Sequence, residues 1–468
     1  MAFEVYLRYM FKNERLKSRF DELLNYSERN RRELYEEFCQ CPWFVDHGFE
    51  HVKGVLSNLD GLLLPQFQMN PNFLNDRELF YLLCAALYHD IGMCYIWERG
   101  GDEYSDWSIK VRKIHGLLSA EMIKEKNVIP QITDDEKRII AEICKYHQSK
   151  APLTESQAKE FGNEALVEEP ISELSLGEEF EEVRLRFLAA ILRLADACDI
   201  NYRRAKKEIF NKKIENNKEV IRRELKEDFI AIAKLLQKVE DIQSLIQSLK
   251  KENDPNNIKE LCDKIMDKIK QQHNFQEIYD PLERILNKIK TRIEILNIQQ
   301  EHYSKHQSIA NVYFILNDHK YYIVLEPYET KPNTKERIEG IKGEIKKELK
   351  LVREVLKDNN FILPKDILSL EECKRLKLDL DKDVRIRYKK EKEKKEKEEE
   401  FRKTIHIMAI DKTITPDEYR ELLVTARKKG IPEEHARAMI ISVAIQVNAE
   451  VYDEKGNKLR DREREIIS

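Results

Sequence analysis

Glycine and proline are scarce in this chain, with 13 of each among 468 residues. All-β and low-complexity proteins depend on these two residues for their turns and linkers, so their scarcity argues against both classes. Charged residues make up 36% of the chain and hydrophobic residues 41%. This composition predicts a soluble, mainly helical protein that is long enough for two or three domains and at least one large hydrophobic core.

Long apolar runs are also missing. No stretch approaches the roughly 18 unbroken apolar residues that a membrane-spanning helix needs. The opening residues, MAFEVYLRYMFKNERLKSRF, show no basic segment followed by an apolar stretch and a cleavage site. We therefore expect a mature cytoplasmic protein with no membrane partner. The formal net charge of −4 gives no global attraction to nucleic acid, which is not an expected partner.

Cysteines at the spacing of a structural zinc site are absent. The eight cysteines are scattered, and most of them lie on apolar helical faces. Only Cys39 and Cys41 are close together, and no second pair completes a four-ligand pattern. The pattern predicts reduced, buried thiols in a reducing compartment.

Hydrophobic periodicity divides most of the chain into three helical segments. Residues 1–42 form an N-terminal helical segment, and residues 43–204 carry successive apolar helical runs. Residues 205–388 begin with long amphipathic helices, expected to be an arm packed on the preceding segment. They continue with NVYFILNDHKYYIVLEP, which alternates around Asn-Asp as a β-hairpin does. We expect a mainly α fold with a helical bundle, a helical arm and a small β-hairpin module.

The last part of the chain begins with a charged run. Residues 389–404 contain KKEKEKKEKEEE, whose lysines and glutamates at i,i+4 spacing are typical of a solvated helical spacer. Residues 405–468 follow as a small α+β module. Its first helix is indicated at Thr415-Pro-Asp-Glu418, a capping box with proline at the first helical position. This module is a candidate for protein binding or self-association.

Imidazoles and carboxylates recur inside the apolar runs of residues 43–204. Six of them open, end or lie within a core-forming helix, namely His51, His89, Asp90, His115, His147 and Asp196. Burying a carboxylate costs several kcal/mol unless another charge compensates it. One or two shared divalent cations would satisfy both carboxylates and hold the imidazoles neutral. His47, close to His51, is either a supporting group or a helix-entry residue.

The order His, His-Asp, His, His, Asp on successive helices resembles the HD-domain metal-dependent phosphohydrolase superfamily. Three sequence motifs, FEHVKGV, LYHDIGM and LRLADACD, carry the resemblance, which covers about residues 43–204. The later stretch HYSKHQSIANVYFIL is similar to HD-CE proteins, the conflict-system branch of the superfamily. That branch implies a helical HD bundle and a nucleotide phosphoesterase of bacterial or archaeal defence.

The resemblance leaves the number of metals open. One-metal members, typically deoxynucleotide hydrolases, use four ligands, which correspond here to His51, His89, Asp90 and Asp196. Two-metal members, typically cyclic nucleotide and cyclic dinucleotide phosphodiesterases, add two histidines at the places of His115 and His147. Because both histidines are present, two metals are favoured, with Asp90 bridging them. The mixed ligand set suits Mn, Fe, Co, Ni or Zn better than Mg or Ca.

The activity that the resemblance implies is hydrolysis of a phosphate ester by metal-activated water. His89 and Asp90 form its catalytic doublet. The substrate class is a small nucleotide, cleaved by a cyclic (di)nucleotide phosphodiesterase or a (deoxy)nucleotide phosphohydrolase. The acidic loop 153–182 favours this class, because it would repel a long polyanion such as DNA or RNA at the mouth of the site.

Five further residues are candidate substrate contacts: Lys53, Lys145, Lys150, Arg193 and Trp97. The four cations are candidates for binding a phosphate, and the tryptophan for stacking on a base. Each also has an ordinary structural interpretation. A lysine can be solvated, an arginine can pair with a nearby acid, and a tryptophan can anchor its loop.

Two other function classes use the same residues. The first is a catalytically silent nucleotide sensor or scaffold of a signalling or defence system, in which the arm, spacer and C-terminal module pass the signal to a partner. The second is a di-iron oxygenase built on the same ligand set. Turnover of a nucleotide distinguishes the hydrolase from the sensor, and a visible absorption band with iron bound would indicate the oxygenase.

Overall fold

The computed structural model describes nine stretches of the chain, namely residues 4–36, 47–94, 104–125, 128–172, 183–205, 240–252, 255–271, 276–328 and 334–459. These stretches are mainly helical with two small sheets, which confirms the predicted mainly α fold. They form two compact units, residues 1–384 and 385–468. Within the described stretches, no helix combines the length and apolarity that crossing a membrane requires.

The first unit begins with a bundle of helices. Their bounds are α1 (Glu14–Arg29), α2 (Phe49–Met69), α3 (Asp76–Tyr88), α4 (Tyr104–Glu125), α5 (Asp134–Lys145), α6 (Glu155–Phe161) and α7 (Leu185–Ala197). Short 3-10 turns follow α3 and α7, at Ile91–Cys94 and Tyr202–Ala205. Capping boxes begin α3 at Asn75 and α5 at Thr133, each with a glutamate at the third helical position.

Helix α3 lies at the centre of the bundle, in contact with α1, α2, α5 and α7. Every residue from Glu78 to Tyr88 is buried, so the helix is apolar on all sides. Glu78 is the one charged side chain in this buried stretch, and the Arg184 guanidinium compensates it. Nε and Nη2 of Arg184 each donate to one of the two Glu78 carboxylate oxygens at 2.7 Å. The central position of α3 explains why the residues that follow it, His89 and Asp90, enter the core.

The arm and the small sheet complete the first unit. They consist of α8 (Glu240–Lys251), α9 (Pro255–Lys270), α10 (Gln276–Gln307), β1 (Ile309–Asn317), β2 (Lys320–Pro327), α11 (Thr334–Asp358), β3 (Asp366–Ser369) and α12 (Leu370–Arg375). Strands β1 and β2 form the expected antiparallel hairpin, and β3 pairs with β2 in parallel. The hairpin turn has positive φ at both Asp318 and His319, the conformation of a tight two-residue turn.

Helix α11 packs directly against α7 of the bundle. Beyond its end, the Phe361 ring lies 6.1 Å from the Phe73 ring and 6.4 Å from the Phe187 ring, centroid to centroid. The C-terminal end of α10 is held at the bundle by Gln307, whose side-chain amide donates to the Ala205 carbonyl at 3.2 Å. Both helices therefore place residues from beyond position 204 against the bundle.

The second unit has its own small core. Its elements are α13 (Val384–Met408), β4 (Thr413–Ile414), α14 (Pro416–Lys428), α15 (Glu433–Gln446) and β5 (Glu450–Val451). The capping box predicted at Thr415 begins α14. The charged residues 389–404 are a continuous part of α13, and Phe401 and Ile405 on this helix are fully buried in the core of the second unit. The division at 404 and 405 therefore falls inside one helix.

Candidate metal centre

The six side chains expected to bind metal come together where five helices of the bundle meet. They are His51 in the first turn of α2, His89 and Asp90 directly after α3, His115 within α4, His147 just after α5, and Asp196 in the last turn of α7. His51, His89, Asp90 and His147 are each at most 3% exposed. The Asp196 side chain is 33% exposed, so the cluster reaches the surface on that side.

Backbone carbonyls orient three of the imidazoles. In each case Nδ1 lies within 3.0 Å of the carbonyl oxygen of the residue three positions earlier. This carbonyl belongs to Ala86 for His89, to Arg112 for His115 and to Cys144 for His147. A carbonyl oxygen only accepts hydrogen bonds, so Nδ1 carries the proton and Nε2 presents a lone pair. The neutral form of each ring is therefore prepared to bind a cation through Nε2.

A carboxylate, Asp199, orients the fourth imidazole. Its Oδ2 lies 2.7 Å from Nδ1 of His51. Asp199 is itself fixed by Arg204, which donates to Oδ2 at 3.1 Å, and by Asn201, which donates to Oδ1 at 2.9 Å. Gly54 on α2 makes room for this group, because a Cβ atom there would lie 2.0 Å from Asp199 Oδ1.

The glycine of LYHDIGM has a similar steric role. A Cβ atom on Gly92 would lie 2.1 Å from the His115 carbonyl oxygen, so only glycine permits the turn after α3 to pack this closely on α4. The hydroxyl of Ser119 holds the same contact, since it accepts from the Gly92 N–H at 2.8 Å and donates to the His89 carbonyl at 2.5 Å. The backbone on both sides of Asp90 is thereby fixed against α4.

The Asp90 carboxylate lies between two pairs of imidazoles. Its Oδ2 is 3.2 Å from Nε2 of His51 and 3.7 Å from Nε2 of His89. Its Oδ1 is 3.1 Å from Nε2 of His115 and 3.7 Å from Nε2 of His147. Each oxygen therefore faces its own pair of ring nitrogens, which is the arrangement of a carboxylate that bridges two cations.

Asp196 belongs to one side of this arrangement. Its Oδ1 lies 3.2 Å from Nε2 of His51 and 4.0 Å from Nε2 of His89. These three residues each offer a donor atom within 4.8 Å of the others, as do His89, Asp90 and His147 on the other side. The two sides share His89 and are joined through Asp90.

The spacing of the ring nitrogens fits bound cations. The Nε2 atoms of His51 and His89 are 3.0 Å apart, and those of His115 and His147 are also 3.0 Å apart. Two lone pairs at this distance repel each other unless a positive charge lies between them. Donor atoms bound at about 2.1 Å to one ion and at right angles lie about 3.0 Å apart. The residues present therefore fit a metal ion at each pair.

The ionisation of the cluster favours the same conclusion. Burial alone would raise the pKa of Asp90, but the neighbouring imidazoles of His89 and His115 hold it well below its usual value. Burial and the nearby His115 and His89 lower the pKa of His147 to about 3. Burial would also lower the pKa of His51, yet the carboxylates around it raise that pKa well above the ordinary value. The cluster therefore holds Asp90 ionised and favours a positive charge at its centre, either the protonated His51 ring or a bound cation.

Two groups that support the cluster lie outside the six expected ligands. His47 Nδ1 donates to Asp90 Oδ2 at 2.8 Å, while its Nε2 is buried and has no hydrogen-bond partner in the part of the chain that the structure describes. Burial lowers the pKa of His47 to about 4. Asp199 was missed in the sequence, although it follows Asp196 by three residues in the same LADACDI motif. The structure thus favours the supporting role for His47.

The C-terminal end of α10 contributes a second group of titratable side chains that was not predicted from the sequence. His306 is buried and His302 is half-buried, and their ring centroids are 4.8 Å apart. Burial, together with nearby Arg112 for His302 and Arg204 for His306, holds their pKa values well below the usual value. Burial lowers the pKa of Lys305 to about 8. The signal in the sequence is HYSKH, two histidines at i,i+4 spacing on one helix.

A cavity of about 560 Å³ opens beside the cluster. Three of the expected ligands line it, namely His115, His147 and Asp196. Lysine and arginine side chains and two glutamates form other parts of the wall. The volume is within the range of pockets that hold small organic ligands. A small ligand in this cavity would lie against the exposed side of the His/Asp cluster.

Two of the predicted substrate contacts line this cavity. Lys150 does so at its rim, where it pairs with Glu164 at 2.6 Å. Arg193 also lines it, but the side chain is only 1% exposed. Its Nε donates to Glu348 and its Nη1 to the Ala151 carbonyl at 3.1 Å. The guanidinium is thus held by protein groups, as in the structural interpretation of this residue.

The other three predicted substrate contacts, Lys53, Lys145 and Trp97, are not among the described residues that line this cavity. Lys53 pairs with Glu50, three residues earlier on α2. Lys145 lies 3.7 Å from Glu142 and over the Tyr146 ring, 4.9 Å from its centroid. Trp97 lies outside the described residues, as do residues 173–182 of the acidic loop.

Comparison with known protein families decides the assignment. The family model named HD-CE matches residues 35–357, more than half of the chain. The chain belongs to the HD-CE family. This confirms the resemblance noted in the three sequence motifs and in the later HYSKHQ stretch. The HD-CE match extends past residue 204 through α10, the β-hairpin and nearly all of α11. No curated protein and no solved structure matches the chain.

Proposed function

We propose that this HD-CE protein is a metal-dependent phosphohydrolase that acts on a small nucleotide. The observation that carries the proposal is the position of Asp90, between two pairs of imidazoles whose Nε2 atoms face it and beside a cavity large enough for a nucleotide. Transition metals prefer such mixed imidazole and carboxylate sets. Family membership supports the same chemistry through the HD ligands that the chain retains.

The proposed ligands divide into two groups. One ion would be held by His51, His89 and Asp196, and the other by His115 and His147, with Asp90 shared between them. Mn, Fe, Co, Ni and Zn suit these ligands. Such ions, when bound, supply hydroxide from water near neutral pH and neutralise charge on a phosphate. The pair of sites favours phosphodiester cleavage of a cyclic mononucleotide or dinucleotide over the one-metal hydrolysis of a deoxynucleotide.

The chain's own residues supply positioning and charge. The carbonyls behind three imidazoles and the Asp199 carboxylate behind the fourth fix which ring nitrogen faces the centre. Lys113 and Lys150 line the cavity and would attract the phosphate. The Lys150–Glu164 pair is solvent-exposed, 46% and 76% for the two side chains, so Lys150 can leave Glu164 for a phosphate at little cost in free energy.

A catalytically silent nucleotide sensor is the second candidate. It is favoured by the separate C-terminal unit, whose Ile407 and Ile410 side chains are 67% and 76% exposed. Exposed apolar side chains of this size are typical of surfaces that contact another protein or a second copy. In this function the cavity binds the nucleotide and the second unit contacts the partner.

A hydrolysis screen tests the enzyme. Protein loaded with Mn is incubated with nucleoside triphosphates, cyclic mononucleotides and cyclic dinucleotides, and products are separated by chromatography. Asp90→Ala is run beside Asp134→Ala, a control at the exposed start of α5. Turnover by wild type and Asp134→Ala that is lost in Asp90→Ala supports the hydrolase. Absence of turnover from fully metal-loaded wild type contradicts it, and calorimetric nucleotide binding by that same protein would then indicate the sensor.

A further inference from the structure

One carboxylate in the cavity wall is unexplained by phosphate chemistry. Glu348, on α11, lines the cavity together with His115, His147 and Asp196. Its Oε1 accepts from Arg193 Nε, and among the described residues no second protein group bonds to the carboxylate. Glu348 compensates the buried Arg193 guanidinium, and because a carboxylate repels phosphate it is suited to a different part of a bound ligand.

Arg193 holds this carboxylate in a fixed position. Its three donor nitrogens are all used: Nε binds Glu348, and Nη1 and Nη2 bind the carbonyls of Ala151 and Ser149. With a side chain that is 1% exposed, Arg193 cannot turn toward a ligand. The Glu348 side chain is 13% exposed, and its Oε2 has no hydrogen-bond partner among the described residues. Arg193 is thus a positioning residue for Glu348.

The carboxylate is matched to a hydrogen-bond donor on the ligand. Burial raises the pKa of Glu348 even though the Arg193 guanidinium opposes the shift. A carboxylate oxygen that lines a cavity without a protein partner can accept a hydrogen bond from a hydroxyl or amine of a bound ligand. The ligand group beside Glu348 is therefore a donor and carries no negative charge.

The position along α7 indicates which part of a nucleotide this is. Arg193 precedes Asp196 by three residues, so the two lie about 4.5 Å apart along the helix axis. When the phosphate bound beside Asp196 is the one attached to the sugar, the ribose is the next group along the nucleotide, and it would lie toward the part of the cavity wall that Arg193 and Glu348 form. The base lies further away. The ribose hydroxyls are therefore the donors nearest to Glu348.

We propose that Glu348 binds the ribose hydroxyls of the substrate and makes the site selective for ribonucleotides over 2′-deoxyribonucleotides. This inference rests on the proposed function, since it assumes that the phosphate lies at the metal centre. Carboxylates bind ribose hydroxyls in other nucleotide sites for the same reason, as strong acceptors for a donating hydroxyl. Glu348 is not needed for the chemical step.

The decisive variant is Glu348→Gln. Arg193 Nε requires an acceptor, so the amide oxygen takes that place and the amide N–H groups turn to the cavity. A ribose hydroxyl then meets a donor where it had met a carboxylate. Glu354→Gln is the matched control, because Glu354 lies on the same helix and is exposed. Thermal unfolding of each variant checks that it folds.

The readout is the ratio of kcat/KM for a ribonucleotide to that for its 2′-deoxy form, measured with Mn-loaded protein. Pairs of ATP with dATP, GTP with dGTP, and cyclic AMP with its 2′-deoxy form serve as probes. We expect a ratio of about ten or more for wild type and Glu354→Gln, the discrimination of one charge-assisted hydrogen bond. Glu348→Gln is expected to lower it to about three or less, mainly by raising the ribonucleotide KM. Unfolded protein cancels from the ratio.

Calorimetric binding of AMP and 2′-deoxy-AMP to Mn-loaded protein separates the two proposals. Hydrolysis with equal kcat/KM for both sugars overturns the role of Glu348 and leaves the enzyme standing. A ribose preference in binding that Glu348→Gln removes, without any turnover, supports Glu348 and contradicts the enzyme. A variant that changes the preference among bases and keeps the sugar ratio overturns the ribose assignment in favour of a base amine.

Discussion

Replacing Asp199 by asparagine should weaken metal binding although Asp199 is not an expected ligand. In the native protein its Oδ2 accepts from His51 Nδ1 at 2.7 Å and from Arg204 Nη1 at 3.1 Å. An asparagine oxygen at the Oδ2 position can still accept from both groups, but it carries no negative charge. A neutral amide is a weaker acceptor than a carboxylate, so it holds the Nδ1 proton and the orientation of the His51 ring less firmly. Its N–H group at the Oδ1 position would also face Asn201, which donates there in the native protein at 2.9 Å.

The expected loss follows from this weaker support of the His51 ring. Without the carboxylate behind Nδ1, the Nε2 lone pair is less basic and the ring is less well oriented toward a metal ion. Changes to groups that orient a metal-binding histidine typically lower metal affinity by about 10- to 100-fold. This range corresponds to about 1.4 to 2.7 kcal/mol of binding free energy.

The assay is competition for Mn or Zn between the protein and a coloured chelator. Asp134→Asn at the exposed start of α5 is the matched control, with wild-type affinity expected. Gly54→Ala gives an independent perturbation of the same contact, because its Cβ would lie 2.0 Å from Asp199 Oδ1 and displace that carboxylate. A folded Asp199→Asn protein that binds metal within about twofold of wild type would refute the supporting role of Asp199.

Three other predictions concern charge and organisation. Urea unfolding of chelator-treated protein should show greatest stability near pH 6.5, the ordinary histidine pKa. His115 has a raised pKa, so its contribution to the free energy of unfolding is complete below pH 6.5 and is lost as the pH rises through its folded-state pKa. His147 has a pKa of about 3 in the folded protein, so it lowers the free energy of unfolding as the pH falls from 6.5 toward that value. Bound Mn should flatten the alkaline side, and an unchanged profile would count against a shared site. Lys150→Gln should raise the KM about tenfold, because it removes a phosphate contact. The control Lys53→Gln lies away from the cavity and should change the KM less than about twofold. Equal effects of the two substitutions would contradict the position assigned to the phosphate. A chain ended after residue 384 should fold and keep its full metal content by elemental analysis, and loss of metal would show that the second unit is needed for the first.

The candidate ligands, which the structure brings together, could be chosen from the sequence because each one is marked locally. His89 and Asp90 stand at the end of an apolar run that could only be a core helix, and a buried carboxylate in such a run requires compensation. The β-hairpin was equally local, since its alternation and its two-residue turn lie within one short stretch. Information of this kind is complete within about 20 residues of chain, the span of one helix or one hairpin.

Pairings between distant segments could not be predicted in the same way. Asp199 and His51 are 148 positions apart, and Glu348 and Arg193 are 155 apart. Neither pairing leaves a trace in the periodicity of its own helix. Arg193 is an example. Its position one turn before Asp196 suggested a phosphate contact, but its guanidinium binds Glu348, which lies on a helix beyond the predicted bundle. Lys53 differs, since its pairing with Glu50 follows from i,i+3 spacing alone.

The central claim is that Asp90 joins two metal sites. Its most direct test is the number of metal ions per chain, determined by elemental analysis after Mn loading and gel filtration. We predict two ions for wild type, about one for His147→Ala, and none retained by Asp90→Ala, because that variant removes the one carboxylate that faces both imidazole pairs. Two ions retained by a folded Asp90→Ala protein, or none bound by wild type, would contradict the account.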